Sequence, residues 1–322
     1  MRFIEDFKEN DHIIDHYLCK QKQSLKTRTG KTYLSLKLQD KTGLIDGKVW
    51  EMTNDIQDFE ENEFIKIDGL VLTYQNDLQI KINRIRRSSP GEYDAADYIP
   101  RTDKDISEMY RQITTYIKNI SNPFLRQLLE SFFVKDKDIS TTFQSHSAAK
   151  NLHHNFYGGL IEHTLSVTQI CEFISGRYKY VNRDLLIASA ILHDLGKIYE
   201  LSPFPGNDYT DDGQLLGHIV ICSEMISREA DKIPNFPKRL KSLLMHSILA
   251  HHGELEYGSP KQPKTMEAFI LHFADNIDAK LNMFAESVGE LGSKTAWSPY
   301  NKILARNITN SDFSFEIENG KD

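Results

Sequence analysis

His193 and Asp194 stand side by side in the segment DLLIASAILHDLGKIYE, which is apolar on every face through its middle. A stretch of that kind is a buried helix, and a carboxylate does not enter an apolar interior unless it is paired, hydrogen-bonded or bound to a metal. The pair therefore needs partners, and the sequence offers them at helical positions. His163 lies thirty residues upstream in LHHNFYGGLIEHTLSV, on a helix whose apolar stripe is Leu160, Thr164, Val167, Cys171 and Ile174. A helix expected from near Leu215, after the turn-rich GNDYTDDG, carries His218 close to its start. Another begins near Pro237, buries Leu240, Leu243, Leu244 and Ile248, and finishes at His251-His252-Gly253. Asp275 sits in the otherwise hydrophobic MEAFILHFADNIDAKL. Imidazole and carboxylate together form a divalent-metal centre and suit manganese, iron or zinc, whereas magnesium prefers oxygen alone. Gly196 is expected to supply the left-handed residue that ends the dyad's helix, with Lys197 emerging beside the pair.

Taken singly, each of these residues has a plainer role as a helix cap or a hydrogen-bonded core side chain. That plainer role is assigned to His146, His153, His154, His246 and His272, with His153 or His154 left as candidates to line the site. Asp275 alone could cap a turn or pair with Lys280. The conjunction of five ligand-bearing helices is what argues for a metal. Helical phase does not choose between His251, in line with Leu240 and Leu244, and His252, which follows Ile248 by four.

The elements that must position these residues fall into two regions, and 322 residues are too many for one small core. Between about 10 and 87 the chain reads as DHIIDHYLCKQKQSL, TYLSLKLQD, GLIDGKVWE, FIKIDGLVLTY and LQIKINRIRR, short alternating segments separated by turn residues such as Thr29-Gly30 and Thr42-Gly43. Five such strands predict a small closed barrel. The OB-fold is the five-stranded Greek-key solution that binds single-stranded oligonucleotides, although strand pattern alone does not separate it from an SH3-like barrel. Arg87-Ser88-Ser89-Pro90-Gly91 and Tyr98-Ile99-Pro100-Arg101 read as linker. Ile106, Met109, Tyr110, Ile113, Tyr116, Ile117 and Ile120 then recur at three and four, Pro123 opens another helix, and the helical period persists to about residue 300. The expected fold is thus multi-domain α+β: residues 1–90 an OB-like barrel for nucleic acid, 91–145 a linker and helical connector, 146–305 an all-α bundle with the metal centre, and 306–322 a polar tail in which Phe313, Phe315 and Ile317 alternate.

Composition narrows the function. A net charge of -7 argues against a basic protein that wraps nucleic acid, and the first ninety residues are balanced, with 15 charges of each sign. Ten of the twelve histidines follow residue 145, so chemistry is expected there. Cys19, Cys171 and Cys222 sit in no CxxC spacing and suit a reducing cytoplasm. No run of eighteen apolar residues predicts a membrane span.

The pattern His163, His193-Asp194, Asp275, with HDLGK continuing through Gly196 and Lys197, resembles the HD phosphohydrolase superfamily. The further histidines in GHI and HHG are similar to the subset that holds two metals, which implies His218 and one or both of His251 and His252 as ligands of the second ion. A barrel followed by an HD domain, together with GGLIEHTLSV, ILHDLGKIYEL, YTDDGQLLGHI and HHGELEYGSPKQP, resembles the YhaM family of 3′–5′ exoribonucleases. The resemblance implies release of nucleoside monophosphates from single-stranded RNA, acceptance of single-stranded DNA, and two divalent ions. Manganese is favoured, with iron, zinc, cobalt or magnesium as alternatives. On this reading Asp194 bridges the ions and Lys197, otherwise a solvated lysine at a helix end, offsets charge on the scissile phosphate. The barrel's expected contacts are Lys31, Tyr33, Lys48, Trp50, Tyr74, Lys81 and Arg84, with Trp50 alternatively a core residue. The rival readings are a nucleotide phosphohydrolase and a catalytically silent nucleic-acid-binding scaffold. A homo-oligomer is left open.

Overall fold

The computed structural model describes residues 2–27, 29–75, 77–150, 154–289 and 297–310. Arg28, His153 and the expected alternation of Phe313, Phe315 and Ile317 lie outside the described residues. Two compact units divide the chain. The first comprises Met1–Asp103, Phe156–Gly159 and Ser202–Asp208, and the second comprises Lys104–Asn155, Leu160–Leu201 and Tyr209–Asp322.

The first unit is built on five strands: β1 (His12–Lys26), β2 (Thr32–Asp40), β3 (Gly43–Val49), β4 (Phe64–Tyr74) and β5 (Asp77–Arg87). Their period-two pattern turns Leu34, Leu36 and Leu38 of β2 and Ile65, Ile67 and Val71 of β4 inward. These side chains meet Ile13, Tyr17, Ile80, Ile82 and Ile85 in one core, where each large aliphatic contributes about 1.5–3 kcal/mol by leaving water. The sheet closes in the order β1-β2-β3-β5-β4. Its closing seam is the parallel pair β3 and β5, with Lys48 opposite Lys81, while the other pairs are antiparallel. The fold is the five-stranded OB-like barrel that the alternation predicts.

Residues past the barrel belong to the same unit. Tyr93 stacks on Phe64 with centroids 4.1 Å apart, Tyr98 meets Phe64 edge-on at 5.2 Å, and the Gln39 amide donates to the Tyr98 carbonyl at 2.9 Å. The two inserted segments join by backbone and lysine contacts. Tyr157 N donates to Pro100 O at 2.8 Å and Thr102 N to Tyr157 O at 3.0 Å. Lys20 Nζ donates to Pro205 O at 2.6 Å and to Gly206 O at 2.8 Å.

The second unit is helical: α1 (Ile106–Lys118), α2 (Pro123–Glu130), α3 (Lys137–Ser145), α4 (Gly159–Ser175), α5 (Arg183–Leu192), the single turn α6 (Lys197–Glu200), α7 (Asp211–Lys232), α8 (Lys238–Ala250) and α9 (Met266–Gly289). Side-chain caps open several of them, as Asp105 does for α1, Asn122 with Pro123 for α2 and Asn182 for α5. Every residue of α5 from Leu185 to Leu192 is buried, and α5 packs on α2, α8 and α9, so it forms the axis of the unit's core. The helix expected from Leu215 begins instead at Asp211, because the Thr210 hydroxyl accepts from Gly213 N at 2.9 Å and caps it there. It is broken at Gly217, whose φ of 73° and ψ of 157° lie in territory that suits glycine alone. His218 therefore opens a second helical run. Among the described residues no helix is long and apolar enough to cross a membrane.

Candidate metal centre

Side chains from α4, the end of α5, α7 and α8 face the Asp194 carboxylate, and Asp275 of α9 joins them through His163. His193 caps the end of α5 and Asp194 follows it, both buried. Asp194 Oδ2 lies 3.4 Å from His163 Nε2 on α4 and 3.5 Å from His193 Nε2. His163 Nε2 is in turn 3.2 Å from Asp275 Oδ1 on α9 and 3.1 Å from His193 Nε2. The other carboxylate oxygen, Oδ1, faces His218 Nε2 of α7 at 3.4 Å and His251 Nε2 at the end of α8 at 3.7 Å. Two clusters of ligand-type atoms thus face Asp194: His163, His193 and Asp275 on one side and His218, His251 and His252 on the other, while a third, His154, His163 and Asp278, shares His163 with the first. Asp194 presents one oxygen to each of the two that face it. All seven residues that the sequence nominates as ligands converge here, and both His251 and His252 are in reach of the second cluster.

The hydrogen bonds on the far side of each ring decide what the near side offers. His193 Nδ1 donates to the Ala190 carbonyl and His251 Nδ1 to the Ile248 carbonyl, both at 2.7 Å. A carbonyl only accepts, so these rings carry their proton on Nδ1. His163 Nδ1 donates to Asp278 Oδ2 at 2.7 Å and His218 Nδ1 to Glu200 Oε1 at 2.9 Å, with the same consequence. In the neutral ring every Nε2 then turns a lone pair toward Asp194. Lone pairs and carboxylate oxygens 3.1–3.7 Å apart repel unless a proton or a cation lies among them. Moreover, Asp194 Oδ1, His218 Nε2 and His251 Nε2 are buried with no hydrogen-bond partner, a state that costs about 1–3 kcal/mol per group. Divalent cations satisfy all of these atoms together, so the residues fit a two-ion centre.

The electrostatics put the donors in the protonation states that ligate. Burial pushes Asp194 upward, but Lys197, His193, His163 and His218 outweigh it and hold the carboxyl well below the usual range. Asp275 is held low against burial chiefly by His163. Burial lowers His193 and takes His251 well below its ordinary value, with His252 adding to the effect. His163 is the exception. Burial opposes its charge, but Asp194, Asp275 and Asp278 raise it well above the ordinary value, so without a metal it holds the proton that a cation would displace. Lys197 Nζ sits 2.7 Å from Asp194 Oδ2, and that carboxylate overrides burial to keep the ammonium charged. It is not a solvated lysine at a helix end, since its side chain is 16% exposed.

The centre opens into a cavity of about 830 Å³ whose wall also includes Lys150, Tyr209, His272, Asn276 and Lys280. The ring nitrogens of His146 lie 3.1 Å from Ser147 O and 3.2 Å from Leu201 O, so its one N–H finds a carbonyl in either tautomer, and His246 accepts from Lys264 N, as expected of core and capping histidines.

Gly196 corrects an expectation. Its φ of -60° and ψ of -19° are ordinary right-handed helix, so it is not a left-handed cap. A Cβ there would lie 2.2 Å from His218 O and 2.9 Å from Cys222 N, so glycine is needed because α7 crosses at backbone contact. Sequence reasoning also passed over Glu200 and Asp278, which hold His218 and His163. Asp278 is three residues past Asp275 on α9, and that (i, i+3) spacing on one helix face was a usable signal. Glu200 lies in the quoted HDLGKIYEL, yet its partner is 18 residues away across a turn that the local pattern does not show.

On the barrel, Tyr33 and Trp50 stack with centroids 4.7 Å apart and planes 24° from parallel. Trp50 is 39% exposed and is therefore not core. Trp50, Lys81 and Arg84 line a cleft of about 480 Å³. Lys48 donates to Ser35 Oγ at 2.6 Å, and Lys31 pairs with Glu51 at 3.2 Å. Tyr74 stands exposed at the turn between β4 and β5, outside that cleft.

Residues 160–280 match the family model of the HD domain, and residues 20–87 match that of the OB-fold nucleic acid binding domain. The chain thus joins an OB fold to an HD domain, and the HD domain marks a metal-dependent phosphohydrolase. Together the two domains point to a hydrolase that acts on nucleic acid. Similar solved structures include the second OB-fold domain of replication protein A from Methanococcus maripaludis, at 21% identity over 27% of this chain and 92% of that chain, with a TM-score of 0.23. A replication protein A heterotrimer bound to ssDNA matches at 17% identity over 24% of this chain and 57% of that chain, with a TM-score of 0.20.

Proposed function

We propose that this protein is a manganese-preferring 3′–5′ exoribonuclease of the YhaM type, which removes nucleoside monophosphates from single-stranded RNA in the cytoplasm and accepts single-stranded DNA. The observation that carries the proposal is the Asp194 carboxylate with one oxygen turned to each of two imidazole clusters. Divalent ions in such a centre act as Lewis acids on a phosphoryl oxygen and make water a stronger acid. His163, His193 and Asp275 would hold one ion and His218, His251 and His252 the other, with Asp194 common to both. Lys197, already charged and 2.7 Å from Asp194, supplies a cation to charge developing on the scissile phosphate. The Tyr33–Trp50 stack and the cleft with Lys81 and Arg84 suit capture of bases and phosphates on the barrel, residues 1–90, and the bundle, residues 146–305, hydrolyses.

The test uses the full chain with Mn2+ and single-stranded RNA labelled at either end. The expected result is immediate release of the label as mononucleotide from 3′-labelled strands and stepwise shortening of 5′-labelled ones. Intact RNA beside rapid hydrolysis of free nucleotides would instead establish the nucleotide phosphohydrolase, and internal cuts would overturn the directionality.

A further inference from the structure

Two carboxylates that touch no ion-facing atom stand behind the centre, one for each cluster. Asp278 is buried on α9, and its Oδ2 accepts from His163 Nδ1 at 2.7 Å and from His154 Nε2 at 3.1 Å, while Oδ1 accepts from Ser166 Oγ. Glu200 ends α6, and its Oε1 accepts both from His218 Nδ1 and from His218 N at 2.9 Å. The second of these bonds falls immediately after Gly217, where α7 breaks. Among the four rings whose Nδ1 bond is described above, His193 and His251 are oriented by carbonyls of their own helix, three residues back. His163 and His218 are oriented from a different element, so their aim depends on one distant side chain each.

We infer that Asp278 and Glu200 are positioning residues that separately control occupancy of the two ion sites, Asp278 through His163 and Glu200 through His218. The control is by orientation. In both residues a single oxygen takes the two bonds that matter, so an amide oxygen in the same place serves equally well. The Asn amide in place of Asp278 Oδ1 would face Ser166 Oγ, which can accept as readily as donate. Outer partners of this kind typically account for about 10–100-fold in metal affinity.

The experiment titrates the metal-free full chain with Mn2+ by calorimetry and reads stoichiometry and affinity, not hydrolysis, so its outcome is independent of whether RNA is the substrate. The wild type is expected to bind two ions. Asp278→Ala and Glu200→Ala should each weaken one ion by about 10–100-fold and leave the other within a few-fold. Glu200→Ala combined with His218→Ala should lose no more than His218→Ala alone. Asp278→Asn and Glu200→Gln should keep both ions near wild-type affinity. If an alanine variant does not fold by circular dichroism, Asp278→Glu or Glu200→Asp takes its place, since each keeps the charge but displaces the oxygen by a methylene, and loss of the same ion is expected. Alanine variants that retain both ions at wild-type affinity overturn the inference. So do amide variants that lose as much as alanine, because that result makes the role one of charge. A wild type that binds no ion overturns it together with the metal centre itself.

Discussion

Gly196→Ala separates two roles that a glycine after a helix can play. Because Gly196 already has right-handed dihedrals, an alanine meets no backbone objection. Its Cβ, however, would sit 2.2 Å from the His218 carbonyl oxygen, whereas a carbon and a carbonyl oxygen rest at about 3.3 Å. One backbone must therefore retreat by about 1 Å, and neither is a flexible side chain. Overpacking of this sort costs about 1–3 kcal/mol, which corresponds to a melting temperature lower by roughly 2–12 °C for a unit of this size. The same retreat carries His218 Nε2 away from Asp194 Oδ1, now 3.4 Å distant, so the second ion should weaken while the first, held by α4, α5 and α9, should not. Thermal melting of the metal-free chain and Mn2+ titration read the two effects separately. Gly196→Asn supplies the contrast. A left-handed cap would tolerate asparagine better than alanine, but close approach makes the larger side chain worse. A wild-type melting temperature with both ions bound in Gly196→Ala, or rescue by asparagine, refutes the reasoning.

Asp194→Asn should lower RNA hydrolysis by at least about 100-fold and reduce bound Mn2+ from two ions, measured by metal analysis after gel filtration; near-normal turnover would remove the dyad from catalysis. Chelation should lower the melting temperature, and Mn2+ at 100 times the Kd of each site should restore about 2.7 kcal/mol per bound ion, with only the second ion's share expected in His163→Ala. The metal-free chain should be most stable near pH 6.5. His193 and His251 have folded values below 6.5, so stability present above 6.5 is lost as pH falls toward those values. His163 has a raised folded value, so its contribution is complete below 6.5 and is lost as pH rises through that value. Mn2+ should flatten the alkaline limb of a melting-temperature profile, and a limb unchanged by the ion would count against His163 as a ligand. Trp50→Ala should weaken single-stranded RNA binding by about 1–3 kcal/mol in fluorescence anisotropy, and an unchanged Kd would remove the Tyr33–Trp50 stack from the interface.

The strands were legible because alternation is a local property: Leu34, Leu36 and Leu38 announce β2 without reference to any partner. Five such segments predicted a closed barrel, but the pairing at its seam was not legible, since Lys48 meets Lys81 across 33 residues and leaves no mark on either segment. The ligands were legible for a related reason. Asp194 is conspicuous because a charge at the end of a wholly apolar helix demands compensation. Glu200 and Asp278 escaped notice because the meaning of each lies in a ring supplied by another element. Gly196 was misread because a helix-ending glycine and a crossing-point glycine look alike until the crossing backbone is seen. Trp50 was ambiguous because the ring it stacks against on the barrel's outside, Tyr33, belongs to a different segment.

The membership of Phe156–Gly159 and Ser202–Asp208 in the barrel unit bears on how such a chain can be cut or recombined. After Asp103 the polypeptide changes allegiance four more times, so no single breakpoint separates the halves. A gene fusion that exchanged everything beyond that residue would take the Tyr157 backbone from Pro100 and Thr102, and the carbonyls of Pro205 and Gly206 from the Lys20 ammonium. The barrel unit is therefore inherited with two short segments that interrupt the sequence of the helical unit, and shuffling one without the other leaves its backbone donors and acceptors to be satisfied anew.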